Sequence, residues 1–227
     1  MSIQSYILLC SEQYSMARES YQQELVGLRE DVLFMSELVL ERLRAGLNAL
    51  ATQDTKLARK VIMGDDEINE MYLERESDCI DLLALQQPVA GDLRLVAASF
   101  KILTDLERVA DLATNLGKYT LEAHTARFPD VDVQAIGVAV VAMLEDAMAA
   151  YADGDVQACH TVAERDNEID QMCERATDAV VRELIATKLD SESTDIDIEA
   201  LMSDVSRLLL TIRDLDRVGD HAVNVAA

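Results

Sequence analysis

Asp105-Leu106-Glu107-Arg108-Val109-Ala110-Asp111 returns 109 positions later as Asp214-Leu215-Asp216-Arg217-Val218-Gly219-Asp220. A second stretch does the same. Val61-Ile62-Met63-Gly64-Asp65-Asp66-Glu67-Ile68-Asn69 aligns with Val162-Ala163-Glu164-Arg165-Asp166-Asn167-Glu168-Ile169-Asp170 at an offset of 101. The difference of eight between the offsets is absorbed by a longer polar loop after Leu189. A repeat of about 100 residues means that one structural unit has been copied, and the fold is read as that unit twice.

The unit is helical. Only 2 prolines and 8 glycines interrupt 227 residues, and aromatic residues make up 4%. Strand-rich domains need more turns and more aromatic side chains than this. Leu25, Leu28, Val32, Met35, Leu38, Val39, Arg42, Leu43 and Leu47 recur at three- and four-residue spacing, which predicts a helix over 16–51. Thr52-Gln53-Asp54 breaks it, with Asp54 as cap of a second helix over 56–86. The Gln87-Pro88-Val89-Ala90-Gly91-Asp92 corner follows, with Asp92 as expected N-cap of a third helix to about residue 126. Phe128-Pro129-Asp130 marks the boundary between halves. The pattern then restarts, with helices expected over 131–152, 156–189 and from about 197 to the end. Short connections put consecutive helices side by side and antiparallel. The expected fold is therefore all-α, two tandem three-helix bundles of six long helices. Residues 1–15 are an N-terminal extension, 16–127 the first repeat and 128–227 the second.

The chemical signal lies in the repeated acids. Glu107 and Asp111 stand at i and i+4, as do Asp216 and Asp220, and Asn115 and Asn224 extend each stripe by a turn. Like charges at this spacing disfavour a helix by a few tenths of a kcal/mol. Keeping both pairs implies an offsetting gain. Leu201, Val205, Leu208, Ile212, Leu215 and Gly219 form the apolar stripe of the last helix, and Asp216 and Asp220 sit at its margin, where a neighbour approaches. Asp65 with Asn69, and Asp166 with Asp170, offer matching groups on the second helix of each half. Such oxygen clusters suit hard or iron-group cations. The competing reading is a set of surface acids paired with Arg108 and Arg217.

Other chemistry is sparse. The Glu-x-x-His signature of di-iron bundles is absent. His124 and His160 read as surface residues, and His221 points away from the face of Asp220. Cys10, Cys79, Cys159 and Cys173 form no C-x-x-C pair and read as small buried side chains. The methionines read as packing, with Met35 and Met63 available to an adaptable partner surface. Gly-rich phosphate loops and nucleophile elbows are missing. A net charge of −23 argues against nucleic acid and against anionic membrane surfaces. No apolar run reaches the roughly 18 residues of a transmembrane segment. The start lacks a basic n-region, so a cytoplasmic location is expected. Only five of the 20 basic residues are lysine. Unbalanced acidity of this kind suits a high-salt cytoplasm, where ions screen self-repulsion.

The runs at 106–111 and 215–224 resemble the E(D)xxxD signatures of the PhoU family. The Gln86–Arg94 corner and the Asp65/Asn69 and Asp166/Asp170 pairs resemble further motifs of that family, in order and in both repeats. The acidity would make this a haloarchaeal-type member. The resemblance implies two three-helix bundles related by a pseudo-twofold axis. It implies a cytoplasmic regulator of phosphate uptake and phosphate homeostasis, acting negatively on the ATPase or permease of a phosphate-specific ABC transporter and, in bacteria, on a phosphate-sensing histidine kinase. It also implies a homodimer, and metal on the acidic pairs: iron, zinc, manganese or magnesium. Carried over, the ligands are Asp65, Glu107 and Asp111 in one half and Asp166, Asp170, Asp216 and Asp220 in the other, with Asn69, Asn115 and Asn224 as further polar ligands. Asn69 makes the first set the poorer one. A regulator is expected, not an enzyme. The alternative is a metal-dependent hydrolase or oxidase using the same carboxylates, which would need open coordination positions.

Overall fold

The computed structural model describes residues 3–86, 88–122, 131–190 and 198–227, with the side chains of 3–17, 19, 86, 187–190 and 198 left out. Among them all regular structure is helical: α1 (Ile3–Thr52), α2 (Thr55–Met63), α3 (Asp65–Gln86), α4 (Gly91–Leu121), α5 (Val133–Asp153), α6 (Val156–Asp190) and α7 (Ile198–Ala226). These make six rods in two triplets, the expected fold. The first triplet is α1, the α2–α3 rod and α4, and the second is α5, α6 and α7. The triplets meet through α4 on α7 and α1 on α5, so equivalent helices pair across the join.

Local chemistry explains the boundaries. Asp54 Oδ1 accepts from the amides of Lys56 and Leu57 at 2.9 and 3.1 Å. Asp155 Oδ1 repeats this with Gln157 and Ala158 at 2.9 and 3.1 Å. Each cap satisfies amides that no helical carbonyl can reach. Gly154 ends α5 in the left-handed region, with φ of +66°.

Three boundaries differ from expectation. The first rod starts at Ile3, so it takes in most of the expected extension. Asp92 lies in the first turn of α4, while the cap position falls to Ala90, at φ +50° and without a capping side chain. An L-residue there carries a strain of about 1–3 kcal/mol. The rod expected over 56–86 is broken at Gly64. A β-carbon there would lie 1.2 Å from Arg42 Nη1. Arg42 uses that space to donate to the Lys60 carbonyl at 3.3 Å and to pair with Glu67 at 2.6 Å. The side chain counted among the apolar positions of α1 is thus a cap for α2. The Phe128-Pro129-Asp130 boundary and His124 lie outside the described residues.

One apolar core runs through both halves. Val32, Met35, Val39 and Leu43 of α1, Leu103, Leu106 and Leu116 of α4, Ile136, Met143 and Leu144 of α5, and Leu215 and Val218 of α7 are fully or almost fully buried. Each such side chain contributes about 1.5–3 kcal/mol of burial. Gly137 lets α5 close on α1, since a β-carbon there would stand 2.4 Å from Leu47 Cδ2. α5 is long and apolar enough to cross a membrane by length and composition, with a mean hydropathy of 1.6. More than half of that stretch is buried against the other helices, as in a core helix. Arg29 of α1 closes the end of α5: it donates to the carbonyls of Tyr151, at 2.8 Å, and Ala152, and stands 5.7 Å from the Tyr151 ring centre. The Tyr151 hydroxyl meets Ser99 of α4 at 2.8 Å.

Candidate functional site

The candidate acids come together as two sets, one per half, each where the second and third rods of a triplet meet. In the first half Asp65, opening α3, faces α4. Thr114 donates its hydroxyl to Asp65 Oδ1 at 3.0 Å, and Asn69 donates to Oδ2 at 3.5 Å. Glu107 and Asp111 are half-buried beside it, and Arg108 reaches each of them at 3.5 Å. Burial pushes the Glu107 carboxyl upward, and Asp111 and Asp65 add to this, while Arg108 and His221 oppose it.

The second half is less compensated. Asp166 Oδ1 lies 3.8 Å from where a β-carbon on Gly219 would stand, so it approaches α7 between Asp216 and Asp220. Burial raises the Asp166 carboxyl, and the charges of Asp170, Asp220 and Asp216 raise it further. Asp216 is also raised, first by burial, then by Asp170 and Asp220. Its one opposing influence is the neighbouring Cys173 thiol. Burial and Asp216 push that thiol up to about 12, so Cys173 stays protonated, and its Sγ donates to the Ile212 carbonyl at 3.9 Å. Position 223, the counterpart of Thr114, is valine, and no ion pair of Arg217 with these acids occurs among the described residues. The surface-pair reading thus applies to Arg108 and not to Arg217.

These sets are juxtaposed without converging. No group of three His, Cys, Asp or Glu side chains among the described residues is arranged to hold a metal ion. The second set nonetheless has the donor chemistry a hard cation needs: four carboxylates, two of them raised first by burial and then by neighbouring acids, with no arginine paired to them among the described residues.

The two outer asparagines go elsewhere. Asn115 Nδ2 donates to Asp214 Oδ2 at 3.2 Å, and Asn224 Nδ2 donates to Asp105 Oδ1 at 3.2 Å. Asp105 and Asp214 are counterparts at the 109-residue offset, and so are Asn115 and Asn224. The two bonds are therefore one contact made twice, across the join of α4 and α7. Each end carries a further donor: the Tyr119 hydroxyl to Asp214 at 2.7 Å, and His221 Nδ1 to Asp105 at 2.7 Å. Asp214 is 1% exposed, and Arg213 completes its partners at 2.9 and 3.2 Å. Burial, then the bond to Asp214, pushes the Tyr119 hydroxyl upward, so it remains a donor. Sequence reasoning aligned Asp105 with Asp214 but gave them no role. The available signal was that both open the repeated motif, two residues before an acid already assigned to one face.

The remaining residues singled out fall on plain ground. Met35 is fully buried and Met63 is 80% exposed. His160 is exposed, Cys79 and Cys173 are buried, and Cys159 is half-buried.

Comparison with known proteins follows the same two-part geometry. The chain is 32% identical over 211 residues to the phosphate-specific transport system accessory protein PhoU homolog of Caulobacter vibrioides, covering 92% of this chain and 87% of that one. It is 30% identical over 207 residues to the PhoU accessory protein of Edwardsiella tarda, covering 90% and 81%. The crystal structure of PhoU from Pseudomonas aeruginosa superposes with a TM-score of 0.79 at 32% identity, over 91% of this chain and 95% of that one. The phosphate transport system regulatory protein PhoU from Streptococcus pneumoniae gives the same TM-score at 28% identity, over 91% and 93%. The PhoU domain model matches twice, at residues 32–120 and 133–227, once on each triplet. With both helical units matched in order, the chain belongs to the PhoU domain family.

Proposed function

We propose that this chain is a non-enzymatic regulator of phosphate uptake, working by contact with the cytoplasmic ATPase or permease of a phosphate-specific ABC transporter. The observation that carries this reading is the match of both repeats, over about nine-tenths of the chain, to proteins named as accessory to phosphate-specific transport. The strongly negative surface supports a protein partner with a basic face, not nucleic acid. Contact with a sensor kinase, negative regulation and homodimerisation belong to the same reading as separable properties. Pull-down from phosphate-replete and phosphate-starved cells tests it. Recovery of transporter subunits that varies with phosphate is the expected result, and their absence under both conditions overturns it.

The acids enter as a cation site, with the second set the stronger. Asp166, Asp170, Asp216 and Asp220 would hold a divalent or trivalent ion, and small side-chain rotations would bring them to it. A bound cation would give an acidic surface the positive charge that inorganic phosphate needs. The double variant Asp216→Ala/Asp220→Ala is expected to lose metal from that half while helicity is kept. Elemental analysis showing unchanged metal sinks the assignment.

A further inference from the structure

α1 is much longer than its counterpart. At the repeat offset of 101, the start of α5 at Val133 corresponds to residue 32, so residues 3–31 of α1 have no equivalent in the second half. The family match also opens at residue 32. Part of that unmatched stretch lies against the C-terminal half of α3 and leaves a groove of about 380 Å³. Leu28 and Leu82 are its buried floor, and Leu85, 76% exposed, is its apolar lip. Gly27 opens one wall, since a β-carbon there would meet nothing within 4 Å. Four carboxylates line the groove: Glu24, Asp31, Asp78 and Asp81. Arg75 pairs with Asp31 at 3.2 Å and Asp78 at 2.7 Å. Glu24 and Asp81 have no ion pair among the described residues.

From this charge complementarity we infer that the α1–α3 groove docks a cationic amphipathic segment of a partner protein, its apolar side chains on Leu28, Leu82 and Leu85 and its Lys or Arg side chains against Glu24 and Asp81. An unpartnered glycine in a helix costs about 1 kcal/mol against alanine, so an open wall at Gly27 makes sense where another chain approaches. Asp31 points the same way: burial raises its carboxyl, Asp78, Glu74 and Glu30 oppose its ionisation, and only Arg75 favours it. The inference extends the partner-docking reading above, but is measured without a transporter, so the two fail separately.

The test uses the full chain and an 18-residue amphipathic probe peptide, with leucine on one helical face and lysine on the other. A scrambled peptide of the same composition is the control. Titration calorimetry at fixed salt should show that Gly27→Leu, which fills the groove, weakens binding by about tenfold, and Glu24→Gln/Asp81→Asn by about fivefold. Neutralising two exposed acids of α6, Glu164→Gln/Glu168→Gln, should change it less than about twofold. Thermal unfolding must show Gly27→Leu at least as stable as the parent, as its empty surroundings require. Three results overturn the inference: equal loss in the α6 variant, equal binding of the scrambled peptide, or undiminished binding by Gly27→Leu. A dimer in sedimentation that Gly27→Leu dissociates overturns it too, by assigning the groove to a second copy.

Discussion

Replacing Asp214 by alanine should be among the most damaging single changes available in this chain. Its carboxylate is 1% exposed and accepts from Asn115, Tyr119 and Arg213. Bonds to a charged acceptor are worth about 1.5–3 kcal/mol each, but the donors regain water in part, because Asn115 and Tyr119 are half-buried and Arg213 is exposed. Losing the shared acceptor leaves the half-buried Asn115 and Tyr119 donors only partly satisfied, and Asp214→Ala is expected to cost about 2–4 kcal/mol. Asp105, its counterpart, is half-buried and accepts from His221 and Asn224, so Asp105→Ala should cost about 1–2 kcal/mol. Urea unfolding at constant KCl measures both. A cycle of Asp214→Ala with Asn115→Ala isolates the bond across the join, with a coupling of about 1 kcal/mol. A loss below about 0.5 kcal/mol for Asp214→Ala, or no coupling with Asn115→Ala, would refute the claim that this clasp holds the halves together.

Two glycines that look alike in the sequence should behave oppositely. Gly27→Ala should stabilise by about 0.5–1 kcal/mol, because it lies in a helix with open space beside it. Gly137→Ala should destabilise by about 1–3 kcal/mol, because its methyl group would meet Leu47 in the core; thermal unfolding of the pair decides. The metal-free protein should gain stability as pH falls from neutrality toward the carboxylate range. Asp31, Asp166 and Asp216 are raised above 3.8 in the folded state, so there the fold binds more protons than the unfolded chain, and their penalty is relieved as pH drops through the folded values. A midpoint that falls over that range contradicts this. Added KCl should act in the same direction at pH 7, and full insensitivity to salt would remove the link between acidity and a high-salt setting.

The duplication, the helices and the capping acids were legible because they are local. Period, breaker and cap each depend on a few neighbouring residues, and Asp54 and Asp155 do what their positions imply. The meeting of Asp65 with the α4 acids, and of Asp166 with the α7 acids, was legible for a related reason: antiparallel neighbours bring matching stripes together. The break at Gly64 was not legible, since it depends on Arg42 arriving from α1. Asp105, Asp214, Asn115 and Asn224 could be aligned but not interpreted. Spacing shows which residues share a helix face, not which of two neighbouring helices that face will meet. Only the packing of α4 on α7 decided that the asparagines bind the opposite half, because that pairing joins residues more than 90 positions apart through a contact no local pattern encodes.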